Sequence, residues 1–223
     1  MCVAIIKPTN AKLPTEETLQ ACWDTNPDGA GIAVFNKVLR KVEINKGFMK
    51  WDEFKTFYQS SNLENELVFF HFRIATAGGV NAGNTHPFPF SNDIATLKSE
   101  NLLTDFAIMH NGVFPIIPQI KTISDTMQLI LNLWNSQNGI KKRNPLQALR
   151  LIKDFLGSNK VALMDNAGKV NFFGKWEKVE GCYFSNLNHE WRLNWQDNYF
   201  DNNSSNSNYW KNKFKVKKTY PLW

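Results

Sequence analysis

Four short stretches carry residue types that could do chemistry together. Cys2 opens an apolar, partly β-branched run, Cys2–Ile6, which reads as a strand. A thiol there is either a small buried hydrophobe or a nucleophile. In the second case its own α-amino group, freed by removal of Met1, would serve as the base. Arg73 closes a second apolar run, Leu67–Phe70 followed by His71, and leads into Thr76, Gly78-Gly79 and His86-Pro87-Phe88. A buried strand that ends in arginine and opens into a Gly/Asn loop can present a fixed cation to a small anion, and a guanidinium fork suits a carboxylate. A surface arginine beside a long loop has the same pattern. Asn111-Gly112 follows the run Asp105–His110. That pair is either a tight turn or two donors, a side-chain amide and a backbone N–H, aimed at one oxyanion. Ser124-Asp125-Thr126 precedes an amphipathic run, so Asp125 either favours a helix dipole or holds an ammonium group.

The elements that must position these residues alternate along the chain. Thr15 is a fitting N-cap for a short helix whose Leu19, Cys22 and Trp23 share one face, which makes Cys22 core. Asn26-Pro27-Asp28-Gly29 is a turn, and Asp28 and Gly29 could line a site as well. Ala30–Phe35 and Arg40–Asn45 form a hairpin, Trp51–Ser60 a helix, and Glu66–Ala75 a buried strand. Residues 91–104 are polar, show no period and read as a loop. Helices are expected from Ser124 and over Asn144–Leu156, with Pro145 at the first turn and Gly157 at the stop. Lys160–Met164 and Lys169–Phe173 make a second hairpin, and Gly181–Ser185 one more strand.

Composition narrows the class. The chain has 223 residues and is 43% hydrophobic and 13% aromatic, enough for a sizeable core. No apolar run is long enough to cross a bilayer and no basic leader precedes the first strand, so a cytoplasmic location is expected. Three cysteines without a C-x-x-C argue against a disulfide framework and a zinc site, and neither metal nor cofactor is expected. The net charge of +6 is mild, and much of it lies near the C-terminus. Residues 191–223 differ from 1–190: an Asn/Ser-rich segment lies among tryptophans and is followed by Lys211–Lys218. That tail suits docking of a protein partner, with nucleic-acid contact a weaker alternative.

Taken in order, Cys2, H71-F-R73-I-A-T76, H86-P-F88, H110-N-G112 and S124-D-T126 resemble the class II glutamine amidotransferase domain of the N-terminal-nucleophile hydrolases, with N26-P-D-G29 and Y183-F-S-N186 fitting its spacing. The likeness covers about 1–190. It implies an α+β fold, a four-layer αββα sandwich of two antiparallel sheets flanked by helices. It implies that Cys2 attacks the carboxamide of L-glutamine while Asn111 and Gly112 hold the oxyanion. Arg73 would grip the α-carboxylate and Asp125 the α-ammonium, with Thr76 and His86 shaping the pocket. Ammonia would pass to a separate acceptor enzyme. Two departures stand out: Val3 follows the nucleophile where glycine is frequent, which would crowd Cys2, and Ala77 stands where many members have histidine. A hydrolase for another amide, or a non-catalytic binding protein on the same fold, are the alternatives.

Overall fold

The structure, a computed structural model, describes residues 1–137 and 143–190. The expected tail, 191–223, lies outside the described residues. Eleven strands and five α-helices follow in chain order among the described residues. They are β1 (Val3–Lys7), α1 (Glu16–Thr25), β2 (Ala30–Asn36), β3 (Lys41–Phe48), α2 (Trp51–Ser60), β4 (Val68–Phe72), β5 (Phe88–Pro89), α3 (Ile94–Lys98), β6 (Asn101–Thr104) and β7 (Phe106–Asn111). Then come α4 (Asp125–Asn135), α5 (Pro145–Leu151), β8 (Lys160–Asp165), β9 (Val170–Phe173), β10 (Glu177–Val179) and β11 (Cys182–Phe184).

The strands form two antiparallel sheets. One has seven strands in the order β10-β11-β1-β4-β2-β3-β6, the other four in the order β5-β7-β8-β9. Alternation along each strand sorts the side chains into three apolar layers. Val3, Ile5, Ile32, Phe70 and Phe72 face out from the large sheet onto Leu19, Cys22 and Trp23 of α1 and Phe54 of α2. Ala4, Ile6, Ala33, Ile44 and Phe69 face in and meet Ala107, Met109, Ala162 and Met164 of the small sheet. Ile108, Val161 and Leu163 face out from the small sheet onto Met127, Ile130 and Leu133 of α4 and Leu149 of α5. Helices, sheet, sheet and helices therefore stack as four layers, the αββα arrangement that the resemblance implies.

The helix starts follow the sequence signals. Thr15 Oγ1 accepts from Thr18 N–H, Ser124 Oγ from Met127 N–H, and Asn144 Oδ1 from the N–H groups of Leu146 and Gln147. The expected helix Asn144–Leu156 is shorter: α5 ends at Leu151 and a 3-10 turn, Lys153–Leu156, continues. The expected strand Glu66–Ala75 narrows to Val68–Phe72. The expected loop 91–104 instead holds α3, capped by Asp93, and β6 at the edge of the large sheet. The cause is plain in β6: Leu103 is 53% exposed, so this edge strand lacks the buried alternation that marks a strand in sequence.

Among the described residues two lysines are buried. Lys7 closes β1 and donates to the carbonyls of Thr9, Leu63, Glu64 and Glu66. Lys46 on β3 donates to Gly83 O at 3.1 Å and Leu97 O at 2.7 Å, with Nζ 4.1 Å from the centre of the Phe88 ring. Burial lowers both ammonium groups from the ordinary lysine value.

Strand β2 passes under the His86-Pro87 corner at Gly31, where a Cβ would lie 2.1 Å from His86 O and 2.5 Å from Lys46 Cβ. A backbone carbonyl cannot yield that much. Gly31→Ala is expected to destabilise the fold by about 1–3 kcal/mol or more. Urea unfolding tests this, and a loss under about 0.5 kcal/mol would show that the corner has room for the methyl.

Candidate active site

The small residues in the middle of the inter-sheet layer give way to polar ones at one end. On β1 the inward parity runs Ile6, Ala4, Cys2; on β4 and its continuation Phe69, His71, Arg73; on β7 Ala107, Met109, Asn111. Cys2 is 9% exposed, and its Sγ both accepts from Ile74 N–H at 3.3 Å and faces Ile74 O at 3.4 Å. Burial pushes the Cys2 thiol up, against the opposing pulls of the Ile74 N–H and the Arg73 charge. The thiol is therefore protonated at neutral pH and needs a base to attack. Val3, expected to crowd Cys2, instead turns outward onto the α1 side, because neighbours on a strand face opposite ways.

Cys2, Arg73, Thr76, His86, Gly112 and Asp125 line one cavity, with His110 at its wall. Arg73 is 3% exposed; its Nη1 donates to Gly79 O at 2.8 Å and its Nη2 to Ala77 O at 2.9 Å. The fork expected to hold a carboxylate thus holds the loop that follows it. Asp28 secures the other side: its N–H donates to Arg73 O, and its Oδ2 accepts from Ala75 N–H at 2.8 Å. Asp125 at the head of α4 accepts from Phe114 N–H at 2.8 Å and Thr126 N–H at 2.9 Å. The cavity has a volume of about 20 Å³, room for a water or two and far less than an amino acid needs.

Asn111 is buried but is not among the residues lining the cavity. Its Nδ2 stands 2.9 Å from Ser185 Oγ, and its Oδ1 has no partner among the described residues. Gly112 does line the cavity, at φ +145°, and a Cβ there would sit 1.9 Å from Asn159 Oδ1. A glycine is required on both counts.

Behind these residues stands Asn159, which the sequence motifs do not include, together with His71, His110 and Asn186, to which the motifs give no role of their own. Asn159 Nδ2 donates to Leu156 O, so its Oδ1, 2.8 Å from His110 Nε2, must accept. His110 therefore carries its proton on Nε2, and Nδ1 accepts from the Thr126 hydroxyl at 2.9 Å. His71 Nε2 donates to His110 O at 2.9 Å, and His86 stacks on His71 with ring centres 4.2 Å apart. Asn186 Nδ2 donates to Cys2 O at 2.7 Å, which pins the carbonyl of Cys2. For Ser185 a signal was present: it is a polar residue at an inward, buried position just past β11. Among the described residues no set of three or more His, Cys, Asp or Glu side chains is placed to hold a metal, and no helix is long and apolar enough to cross a membrane.

No protein-family model and no curated protein matches the chain. The chain is similar to glutamine phosphoribosylpyrophosphate (PRPP) amidotransferase from B. subtilis, complexed with ADP and GMP. The identity is 18% and the TM-score 0.45, over 82% of this chain and 41% of that one. The chain thus spans about two-fifths of the length of that enzyme.

All four histidines titrate below their ordinary value. Burial is the leading cause in each, and it takes His71 to about 3. The unfolded chain therefore binds more protons than the folded one once the pH falls below about 6.5. Stability is complete above that value and is lost on acidification towards pH 3. Each core histidine adds a slope of about 1.4 kcal/mol per pH unit in that window. Urea midpoints should fall between about pH 7 and about pH 5, and less steeply in His71→Gln. Equal midpoints at the two values would show that these rings titrate normally.

Proposed function

We propose that the chain is a glutaminase: it hydrolyses the side-chain amide of L-glutamine through Cys2 and releases ammonia for a separate acceptor enzyme. The observation that carries this reading is convergence. Residues from five separate segments, Cys2, Arg73 with Thr76, His86, Gly112 and Asp125, line one cavity. A thiol flanked by a buried arginine and a buried aspartate suits an amide that also bears an α-carboxylate and an α-ammonium. A ligand lacking either charge would leave a buried partner unpaired, which is how such a pocket discriminates.

The chemistry runs through this chain's own groups. Removal of whatever precedes Cys2 frees its α-amino group, which takes the thiol proton, directly or through a water, as Sγ attacks the amide carbon. The Gly112 N–H and the Asn111 amide hold the oxyanion. The carbon–nitrogen bond then breaks, the amine proton passes to the departing nitrogen, and ammonia leaves a γ-glutamyl thioester on Cys2. Water cleaves the thioester, which yields glutamate and restores the thiol. Loss of one oxyanion donor costs about 10²–10³ in rate in acyl-transfer enzymes generally.

Entry of glutamine requires the segment after Arg73 to move, because Ala77 O and Gly79 O occupy the guanidinium. Exchange is favourable at that point: a carboxylate meets the guanidinium as a bidentate pair of opposite charge, which two neutral carbonyls do not offer. Asp125 has lone pairs left beyond the two N–H groups that it accepts, so it can take an ammonium without releasing the helix start. Thr76 and His86 shape the wall. The tail, 191–223, is assigned to docking the acceptor enzyme, with nucleic-acid contact the weaker assignment, and the reaction to the cytoplasm.

Intact mass of the protein before and after 6-diazo-5-oxo-norleucine tests the reading. Loss of Met1 and one adduct, absent in Cys2→Ala, are expected, together with ammonia release from glutamine. Arg73→Lys should raise KM for glutamine at least about tenfold, since lysine cannot reproduce the bidentate fork. A chain that has lost Met1 yet gives neither adduct nor ammonia would leave a binding protein on this fold.

A further inference from the structure

We infer that Ser185 is a positioning residue for the oxyanion amide: its hydroxyl donates to Asn111 Oδ1 and so turns Asn111 Nδ2 towards the reacting carbon. This rests on the glutaminase reading for its catalytic meaning, though not for its geometry. Ser185 follows β11, where it pairs with Ala4 of β1: Ser185 N–H donates to Ala4 O at 2.9 Å, and Ala4 N–H donates to Ser185 Oγ at 2.9 Å. Tyr183, two residues earlier, packs into the inter-sheet layer, so Ser185 faces the same space as Cys2 and Asn111.

Hydrogen-bond balance decides which end of the amide Ser185 holds. The two ends of an amide are isosteric, so the network around it fixes the assignment. Ser185 Oγ already accepts from Ala4 N–H and has one proton to give. With Nδ2 towards Ser185, two groups stay unmatched among the described residues: the hydroxyl proton and Asn111 Oδ1, which is buried without a partner. With Oδ1 towards Ser185, the hydroxyl proton is used and the hydroxyl is fully matched. Only the NH₂ group is left, a donor pair in the inter-sheet layer one residue before Gly112, whose backbone lines the Cys2 cavity. A buried donor of this kind is costly until an acceptor arrives, and the acceptor that the reaction creates is an oxyanion. The same dipeptide fixes the nucleophile, since Asn186 holds Cys2 O. One strand end therefore sets the nucleophile's carbonyl and the oxyanion donor together.

Neutron diffraction on the deuterium-exchanged protein tests the geometry directly. Deuterium on Ser185 Oγ pointing at Asn111 Oδ1 is the expected result; Nδ2 deuterons pointing at Ser185 Oγ would overturn the inference, whatever the protein's activity. Kinetics test the role. Ser185→Ala should lower kcat for glutamine about 10²-fold with KM nearly unchanged, Ser185→Thr should restore most of it, and Ser185→Ala should add nothing in an Asn111→Ala background. A full additive loss in that background, or a wild-type kcat in Ser185→Ala, would refute the positioning role. A wild-type protein that releases no ammonia would instead sink the glutaminase reading and leave the neutron result to decide the hydroxyl's direction.

Discussion

Two sheets packed face to face must stop being apolar somewhere, and this molecule is arranged around where that happens. In the middle of the layer, alanines at positions 4, 33, 107 and 162 keep the sheets close. At one end the same inward positions carry Cys2, His71, Arg73 and Asn111. Water is largely excluded there, so each polar group must be matched by a protein group. That requirement accounts for the unusual partners: carbonyls in the arginine fork, backbone N–H groups on Asp125, a serine against the amide, and a tautomer of His110 fixed by Asn159. The segment 75–81 is held in place by these matches more than by apolar packing, whereas 112–124 is also anchored by Phe114 and Ile123 in the outer apolar layer.

The same matching makes the site a set of competing bonds. Arg73 is bonded to Ala77 O and Gly79 O, and Asp125 to two N–H groups. On the glutaminase reading, a ligand with a carboxylate and an ammonium would displace neutral partners with charged ones. The guanidinium fork is preformed, so little side-chain order has to be created on binding. On that reading ligand entry and loop release would be one event, set by the difference between two sorts of hydrogen bond.

Much of this was legible in the sequence, for reasons that can be named. Turn chemistry and caps marked most elements, because Asn26–Gly29, Thr15, Ser124 and Asn144 do local work that depends on few other residues. The site segments were legible because each joins a strand end to a glycine or a cap. The sheet order was not legible: β1 lies between β11 and β4, and no local pattern encodes a partner so distant. Strand β6 was missed because an exposed edge has no buried alternation. Lys7 and Lys46 were missed because a lysine in a strand reads as solvent-facing unless its carbonyl partners are known. Ser185 was within reach, since polarity at an inward position is itself a signal.

The place of β1 has a consequence for how the chain acquires its structure. The bond between Ala4 and Ser185 joins residues 181 apart, and β1 has β11 as one of its two neighbours. Until the last described strands are formed, one edge of β1 is open, with its backbone groups unpaired and its apolar faces only half covered. Closing contacts of that span is slow compared with forming helices or hairpins, and an open central strand is an invitation to pair with another chain. The geometry that lets a late segment hold the carbonyl of Cys2 also leaves β1 among the last strands to be sealed, so the chain stays open to mispairing until 177–185 dock.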